Sequence, residues 1–309
     1  MPQIDANAIK LEYEVSGDPA GPPMLLIMGL GAQLTRWPEA FHRALADAGF
    51  RVIRYDNRDV GKSTRMVQAA SPSLPRALLR SALGAPVRAP YDLGTLTADA
   101  IGLLDALGIR SAHIVGASMG GMIAQMLAAH HANRVRSLVS IMSSSGHRRL
   151  PQPSLGVRLA LVSRPGSRAS RAEIIDATVA RYKRLASPGY PPDEQLMRDL
   201  VTIDYDRGYY PPGTARQLLA ILASGSRTPI LGRITAPTLI QHGADDPLIP
   251  VAAAYDLHHR IPGSRLEIFP GMGHDLPRGL VATLTGQIID HVRRADVASA
   301  AQASGAAVS

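Results

Sequence analysis

The sequence predicts an α/β protein: a mostly parallel β-sheet flanked by helices, interrupted by a helical insertion. Three observations carry that prediction. Short apolar runs alternate with amphipathic stretches along residues 8–145. The alternation stops over 146–225, where helical patterns follow one another without a convincing buried strand. It resumes at 226 and continues to about 295. Strand–helix alternation is the signature of parallel strands joined by crossover helices.

The elements follow in order. AIKLEYEV (8–15) alternates apolar and polar residues, as a half-buried strand does. MLLIMGL, after Pro22-Pro23, is continuously apolar and suits a strand covered on both faces. Trp37 to Phe50 reads as an amphipathic helix with Phe41, Leu45 and Ala48 on one side. RVIRYD is the next strand, and the turn-rich NRDVGKST follows it. Thr95 to Leu107 is a helix stopped by Gly108. SAHIVGAS, GGMIAQMLAAHH and VRSLVSIMS read as strand, helix and strand. Inside the insertion, helices are expected over Arg171 to Leu185, Asp193 to Ile203 and Thr214 to Ser224. APTLIQHG (strand), Ala252 to Arg260 (helix), SRLEIFPG (strand) and Leu280 to Arg294 (helix) complete the pattern. The expected organisation is a core in two parts, 1–145 and 226–295, with a helical cap at 146–225 over one end of the sheet. The stretch 296–309 ends in ASAAQASGAAVS, which lacks large apolar residues and is expected to be a flexible tail.

Composition narrows the function classes. The 309 residues are 46% hydrophobic and 19% charged, outside the disordered range. No Cys is present, which removes disulfide scaffolds, thiolate nucleophiles and Cys-ligated zinc. The start, MPQIDANAIKLEYEVSG, has no signal-peptide pattern, so a cytoplasmic location is expected. Ser111 to Asn133 carries no Asp, Glu, Lys or Arg, but Gly116, Gly120 and Gly121 break it, so a strand–turn–helix is expected and not a membrane span. The net charge of +8 is concentrated between His147 and Arg184, where Arg148, Arg149, Arg158, Arg164, Arg168, Arg171, Arg181, Lys183 and Arg184 meet only Glu173 and Asp176. With Tyr182 as its lone aromatic, this stretch reads as a solvated helical surface and no nucleic-acid partner is expected.

Gly116-Ala117-Ser118-Met119-Gly120 is a G-x-S-x-G match set between a buried strand and a helix. There it forms a sharp turn that lifts Ser118 Oγ above the C-terminal edge of the sheet, beside a helix N-terminus that favours negative charge. A serine hydroxyl needs a base, and elbows of this kind use the chain order serine, acid, histidine. His42 and His113 precede Ser118 and are excluded. His130, His131, His258, His259 and His291 fall on helices, and His242 precedes the acid. His274, on the Gly-rich loop after SRLEIF, is the expected base. The acid is expected in GADDP, where Asp245 and Asp246 are both candidates by position. Met119 supplies one oxyanion N–H by following the nucleophile; the other is expected from the loop where Gly29 and Gly31 flank Leu30. Trp37, after that loop, and Gly29 are candidate substrate contacts. Gly29-Leu30-Gly31 lacks the third Gly of a dinucleotide fingerprint, since position 34 is Leu34, and Gly61-Lys62-Ser63 lacks the first Gly of a P-loop, since position 56 is Asp56. No metal-ligand spacing stands out, and neither metal nor cofactor is expected.

Across about residues 1–295 the chain resembles the α/β-hydrolase superfamily, and more narrowly the serine esterase branch of aclacinomycin methylesterase-like proteins. MGLGAQLTRWPEAF, RVIRYDNRDVGKST, HIVGASMGGMIAQ, PTLIQHGADDPLIP and IFPGMGHDLP carry that resemblance. It implies an eight-stranded sheet with a cap after the sixth central strand, and it selects Asp246 as the acid and Leu30 as the second oxyanion donor. Two positions depart from the family: Met28 stands where many relatives have His, and Asp59 where they usually have Gly. The implied activity is a serine carboxylesterase acting on small to medium esters through an acyl-enzyme. Lactonases, carbon–carbon bond hydrolases and perhydrolases share these residues, and a non-catalytic ligand-binding protein is the alternative of another class.

Overall fold

The computed structural model describes residues 1–69, 72–162, 166 and 168–306. Its eight strands are β1 (Gln3–Ala6), β2 (Ile9–Gly17), β3 (Pro23–Ile27), β4 (Arg51–Tyr55), β5 (Ala112–Ala117), β6 (Val135–Ile141), β7 (Thr238–Gly243) and β8 (Arg265–Phe269). They form one sheet in the order β1-β2-β4-β3-β5-β6-β7-β8. Only β1–β2 and β2–β4 pair antiparallel; every later pair is parallel. The eight-stranded, mostly parallel sheet expected from the sequence is the one found.

The helices are α1 (Glu39–Asp47), α2 (Leu74–Ala82), α3 (Leu93–Ala106), α4 (Met119–His130), α5 (Leu155–Val162), α6 (Arg171–Leu185), α7 (Glu194–Gly208), α8 (Pro211–Ser224), α9 (Thr228–Leu231), α10 (Ala252–Arg260) and α11 (Val281–Ala306). The apolar runs are unbroken because alternate side chains of the central strands enter two different cores. Leu25, Ile53, Ile114 and Leu138 pack with Leu96 and Leu103 of α3, and with Ile123 and Leu127 of α4. Met24, Leu26, Val115 and Val139 pack on the opposite face with Phe41 of α1, and with Leu284 and Ile288 of α11. Burying each such Leu or Ile stabilises the fold by about 1.5–3 kcal/mol.

Several elements differ from expectation: β1, α5 and α9 have no counterpart in the sequence reading, and α7 runs past Ile203 to Gly208. Helix α2 lies where no helix was expected, in a Pro- and Arg-rich stretch; Pro75 sits in its first turn, where a missing N–H costs nothing. Helix α8 begins at Pro211 instead of Thr214, for the same reason. The final helix runs beyond Arg294 to Ala306, so 296–306 is helical and not a loose tail. Its Ala content sustains a helix without large apolar residues, and Asp296 is tied to the sheet by Arg136 (2.7 Å) and His113 (3.3 Å). Residues 307–309 lie outside the described residues.

Among the described residues no helix is long and apolar enough to cross a membrane. In the Arg-rich region, acids absent from the local sequence arrive from α7: Arg171 pairs with Asp206 at 2.6 Å and Lys183 with Glu194 at 2.5 Å. Asp176 in turn receives Arg198 at 2.6 Å. Arg164 lies outside the described residues.

His113, on β5, is buried beneath Phe50 and faces Ser137, Asp296, Arg136 and His291. Burial pulls its pKa down to about 4, with Asp296 opposing and Arg136 reinforcing the shift. The unfolded chain therefore takes up a proton near pH 6.5 that the folded chain refuses, and stability is lost as pH falls from about 6.5 toward 4. Calorimetry across that window should show Tm falling with pH, with a shallower slope in His113→Gln. An unchanged slope in that variant would contradict the assignment.

Candidate active site

Strands β3 and β5 are neighbours, yet the chain leaves β3 for β4 on the other side. The sheet order reverses between them, and a crevice opens there at the C-terminal edge. Ser118 stands in it, directly after β5 and before α4, at φ 56° and ψ −118°. This left-handed-region backbone is rare for a side chain larger than Gly and must be held by its surroundings. The surroundings are tight: a Cβ on Gly116 would lie 2.2 Å from the Gly120 carbonyl oxygen, and one on Gly120 would lie 1.9 Å from that of Ile27. Ser118 N–H donates to the Ile141 carbonyl (2.9 Å), and Ser143 Oγ donates to the Ser118 carbonyl (2.8 Å).

Ser118 Oγ lies 3.0 Å from His274 Nε2, and His274 Nδ1 lies 2.7 Å from Asp246 Oδ2. The other oxygen of Asp246 accepts the backbone N–H groups of Leu248 and Ile249, both at 2.8 Å. These bonds fix the carboxylate with one oxygen free to face the imidazole. Asp245 instead accepts Gly271 N–H at 2.7 Å from an exposed position. His242, beside Asp246, has Nε2 2.8 Å from the Ile249 carbonyl, and burial lowers its pKa. The His274 loop is held from the helical insertion: His274 N–H donates to the Leu185 carbonyl (2.7 Å) and Gly273 N–H to Ser187 Oγ (2.8 Å). Ser187 Oγ also bonds Asp275, whose pKa burial raises.

Across the crevice, Gly29 lies against the serine: a Cβ there would come within 3.0 Å of Ser118 Cβ and 3.5 Å of Oγ. Met119 opens α4, so its N–H has no carbonyl one turn earlier in the helix to receive it. Asn57 Nδ2 donates to the Met28 carbonyl (3.0 Å), which fixes the start of the Met28–Gly31 loop without help from the Met28 side chain. Trp37 is 1% exposed, packs on Phe41 with the rings tilted by 33° at 5.1 Å between centroids, and lines the cavity as well as the core.

Residue 59 has a structural answer. Asp59 is buried at φ 68°, which is why Gly suits the position. It accepts Arg216 Nε (2.8 Å) and Nη2 (2.7 Å), Tyr91 Oη (2.8 Å) and Met66 N–H (2.7 Å). The loop is thereby bolted to α8, a role that no local sequence pattern announces.

The site opens into a cavity of about 2160 Å³, walled by core residues such as Met28, Leu30 and Met122 and by Leu185, Leu196 and Leu218 of the insertion. Tyr209 lines it too, while Tyr210 bonds Arg216 at 2.9 Å. Among the described residues no group of three or more His, Asp or Glu is arranged to hold a metal.

Known proteins share the fold that carries this site. Residues 22–277 match a family model described as the alpha/beta hydrolase fold. Rhodomycin D methylesterase DauP of Streptomyces sp. (strain C5) is 31% identical over 318 residues, covering 95% of this chain and 98% of that protein. A meta-cleavage product hydrolase of Pseudomonas fluorescens superposes with a TM-score of 0.74 at 20% identity, over 96% of this chain and 98% of the other. An enol-lactonase of Burkholderia xenovorans superposes with a TM-score of 0.70 at 25% identity, over 94% and 100%.

Proposed function

The chain belongs to the α/β-hydrolase fold family, and on that premise we propose that it is a serine carboxylesterase working through an acyl-enzyme. The observation that carries the proposal is the unbroken hydrogen-bond chain Ser118–His274–Asp246, at 3.0 and 2.7 Å.

Ser118 Oγ attacks the ester carbonyl carbon while its proton passes to His274 Nε2. Asp246 holds Nδ1–H and stabilises the imidazolium. The carbonyl oxygen, now negative, is received by the N–H groups of Leu30 and Met119. Collapse of the tetrahedral intermediate expels the alcohol oxygen, which takes the proton from His274. Water then attacks the acyl-enzyme by the same route, releasing the acid and restoring Ser118. No cofactor enters these steps.

Helices α5 to α8 act as the cap over this chemistry. A cavity of about 2160 Å³ exceeds the roughly 300–1,000 Å³ of ordinary small-molecule pockets, so one side of the ester is bulky and largely apolar. The methylesterase relative directs the choice toward methyl esters, with the small methoxy group leaving and the bulky acid filling the cavity. Turnover of p-nitrophenyl esters from acetyl to palmitoyl, beside methyl esters of polycyclic acids, tests this. The expected result is kcat/KM at least ten-fold higher for the bulky methyl esters than for p-nitrophenyl acetate. A preference for acetyl would refute the bulky substrate, and absence of serine-dependent turnover on every ester would move the assignment to lactone or carbon–carbon bond cleavage.

A further inference from the structure

We propose that Gln217, on α8, is a positioning residue of the oxyanion hole; the inference rests on the esterase assignment above. Gln217 lies 186 residues from Gly31 in sequence and is fully buried. Its Oε1 accepts Gly31 N–H at 2.8 Å and its Nε2 donates to the Arg58 carbonyl at 2.8 Å. Only one orientation of the amide satisfies both partners, since one offers a donor and the other an acceptor.

The segment Gly29–Gly31 is therefore held at both ends. Gly29 is packed on Ser118, where a Cβ would come within 3.0 Å of the serine Cβ. Gly31, at φ 66°, is packed on α8, where a Cβ would lie 2.7 Å from Thr214, one turn before Gln217. Leu30, the oxyanion donor of the proposed mechanism, is the single residue between the two clamps. Helix α8 is itself anchored by Arg216, the neighbour of Gln217, through its paired bonds to buried Asp59. The core thus holds the Gly29 end of this loop and α8 of the insertion holds the Gly31 end, so both set the position of the backbone donor between them.

An oxyanion donor acts only where charge develops, so displacing it lowers kcat and leaves ester binding almost untouched. Gln217→Leu removes both bonds at similar volume; Gln217→Met is the second variant if the first does not fold, with Tm as the readout of folding. On p-nitrophenyl butyrate, kcat should fall about ten-fold or more with KM within two-fold, because a misplacement of ~1 Å costs up to about 10²-fold. The Ki of a trifluoromethyl ketone, whose adduct with Ser118 bears an oxyanion, should rise by the same factor as kcat/KM falls. A folded variant with kcat within two-fold of the parent, or one whose Ki does not move with kcat/KM, would overturn the assignment to Gln217. Ser118→Ala run alongside separates the two levels: turnover surviving in that variant would sink the esterase assignment itself, whatever Gln217 does.

Discussion

Ser118→Ala is expected to lower kcat/KM on p-nitrophenyl butyrate by roughly 10⁴- to 10⁶-fold. The size follows from what the substitution removes. Without Oγ there is no acyl-enzyme, and only binding and the N–H groups of Leu30 and Met119 remain to assist direct attack by water. The fold should be retained, because the β5–α4 turn is held by bonds that Ala can also make: the backbone N–H of residue 118 to Ile141 and its carbonyl to Ser143. A normal Tm with lost turnover is the expected pair of results. A loss of only a few-fold in a folded variant would mean that another group supplies the nucleophile.

The second large effect separates two adjacent carboxylates. Asp246→Asn is expected to cost about 10³- to 10⁴-fold in kcat, whereas Asp245→Asn should stay within a few-fold of the parent. At position 246, Leu248 and Ile249 N–H groups converge on one side-chain oxygen. An Asn there keeps its carbonyl oxygen on those donors and turns its NH₂ toward His274 Nδ1. The imidazole must then accept at Nδ1 and carry its proton on Nε2, where it cannot take one from Ser118. At position 245 the partner is Gly271 N–H, which an Asn oxygen receives equally well. Equal losses in the two variants, measured as kcat at saturating ester, would contradict the geometry.

Much of this architecture could be read from local sequence. Two-faced burial leaves continuous apolar runs such as MLLI, and the steric demands of the turn around Ser118 leave Gly116 and Gly120. His274 stood out because the other histidines fall on helices or precede the acid. Asp245 and Asp246 could not be told apart from the residues alone, because the difference lies in which oxygen meets Leu248 and Ile249. The family resemblance pointed to Asp246, and the coordinates bring that residue to the imidazole. Gln217, Arg216 and Ser187 were not singled out at all. Their partners, Gly31, Asp59 and Gly273, lie 186, 157 and 86 residues away, and neither helical periodicity nor a motif encodes such a contact. The same holds for Asp59, whose departure from Gly reads as an oddity until Arg216 is placed beside it. Helix α2 and the end of α11 escape local reading for different reasons: LPRALLRSA is amphipathic but lies in a Pro- and Arg-rich stretch with Pro75 in its first turn, whereas the end of α11 is built from small residues and shows no strong apolar stripe.

The most direct test of the central claim is the mass of the protein after rapid mixing with a p-nitrophenyl ester and quenching in acid, followed by peptide mapping. The account predicts an added mass equal to one acyl group, confined to the peptide that contains Ser118 and absent from Ser118→Ala. An acyl group mapped to another residue, or carried equally by Ser118→Ala, would contradict it.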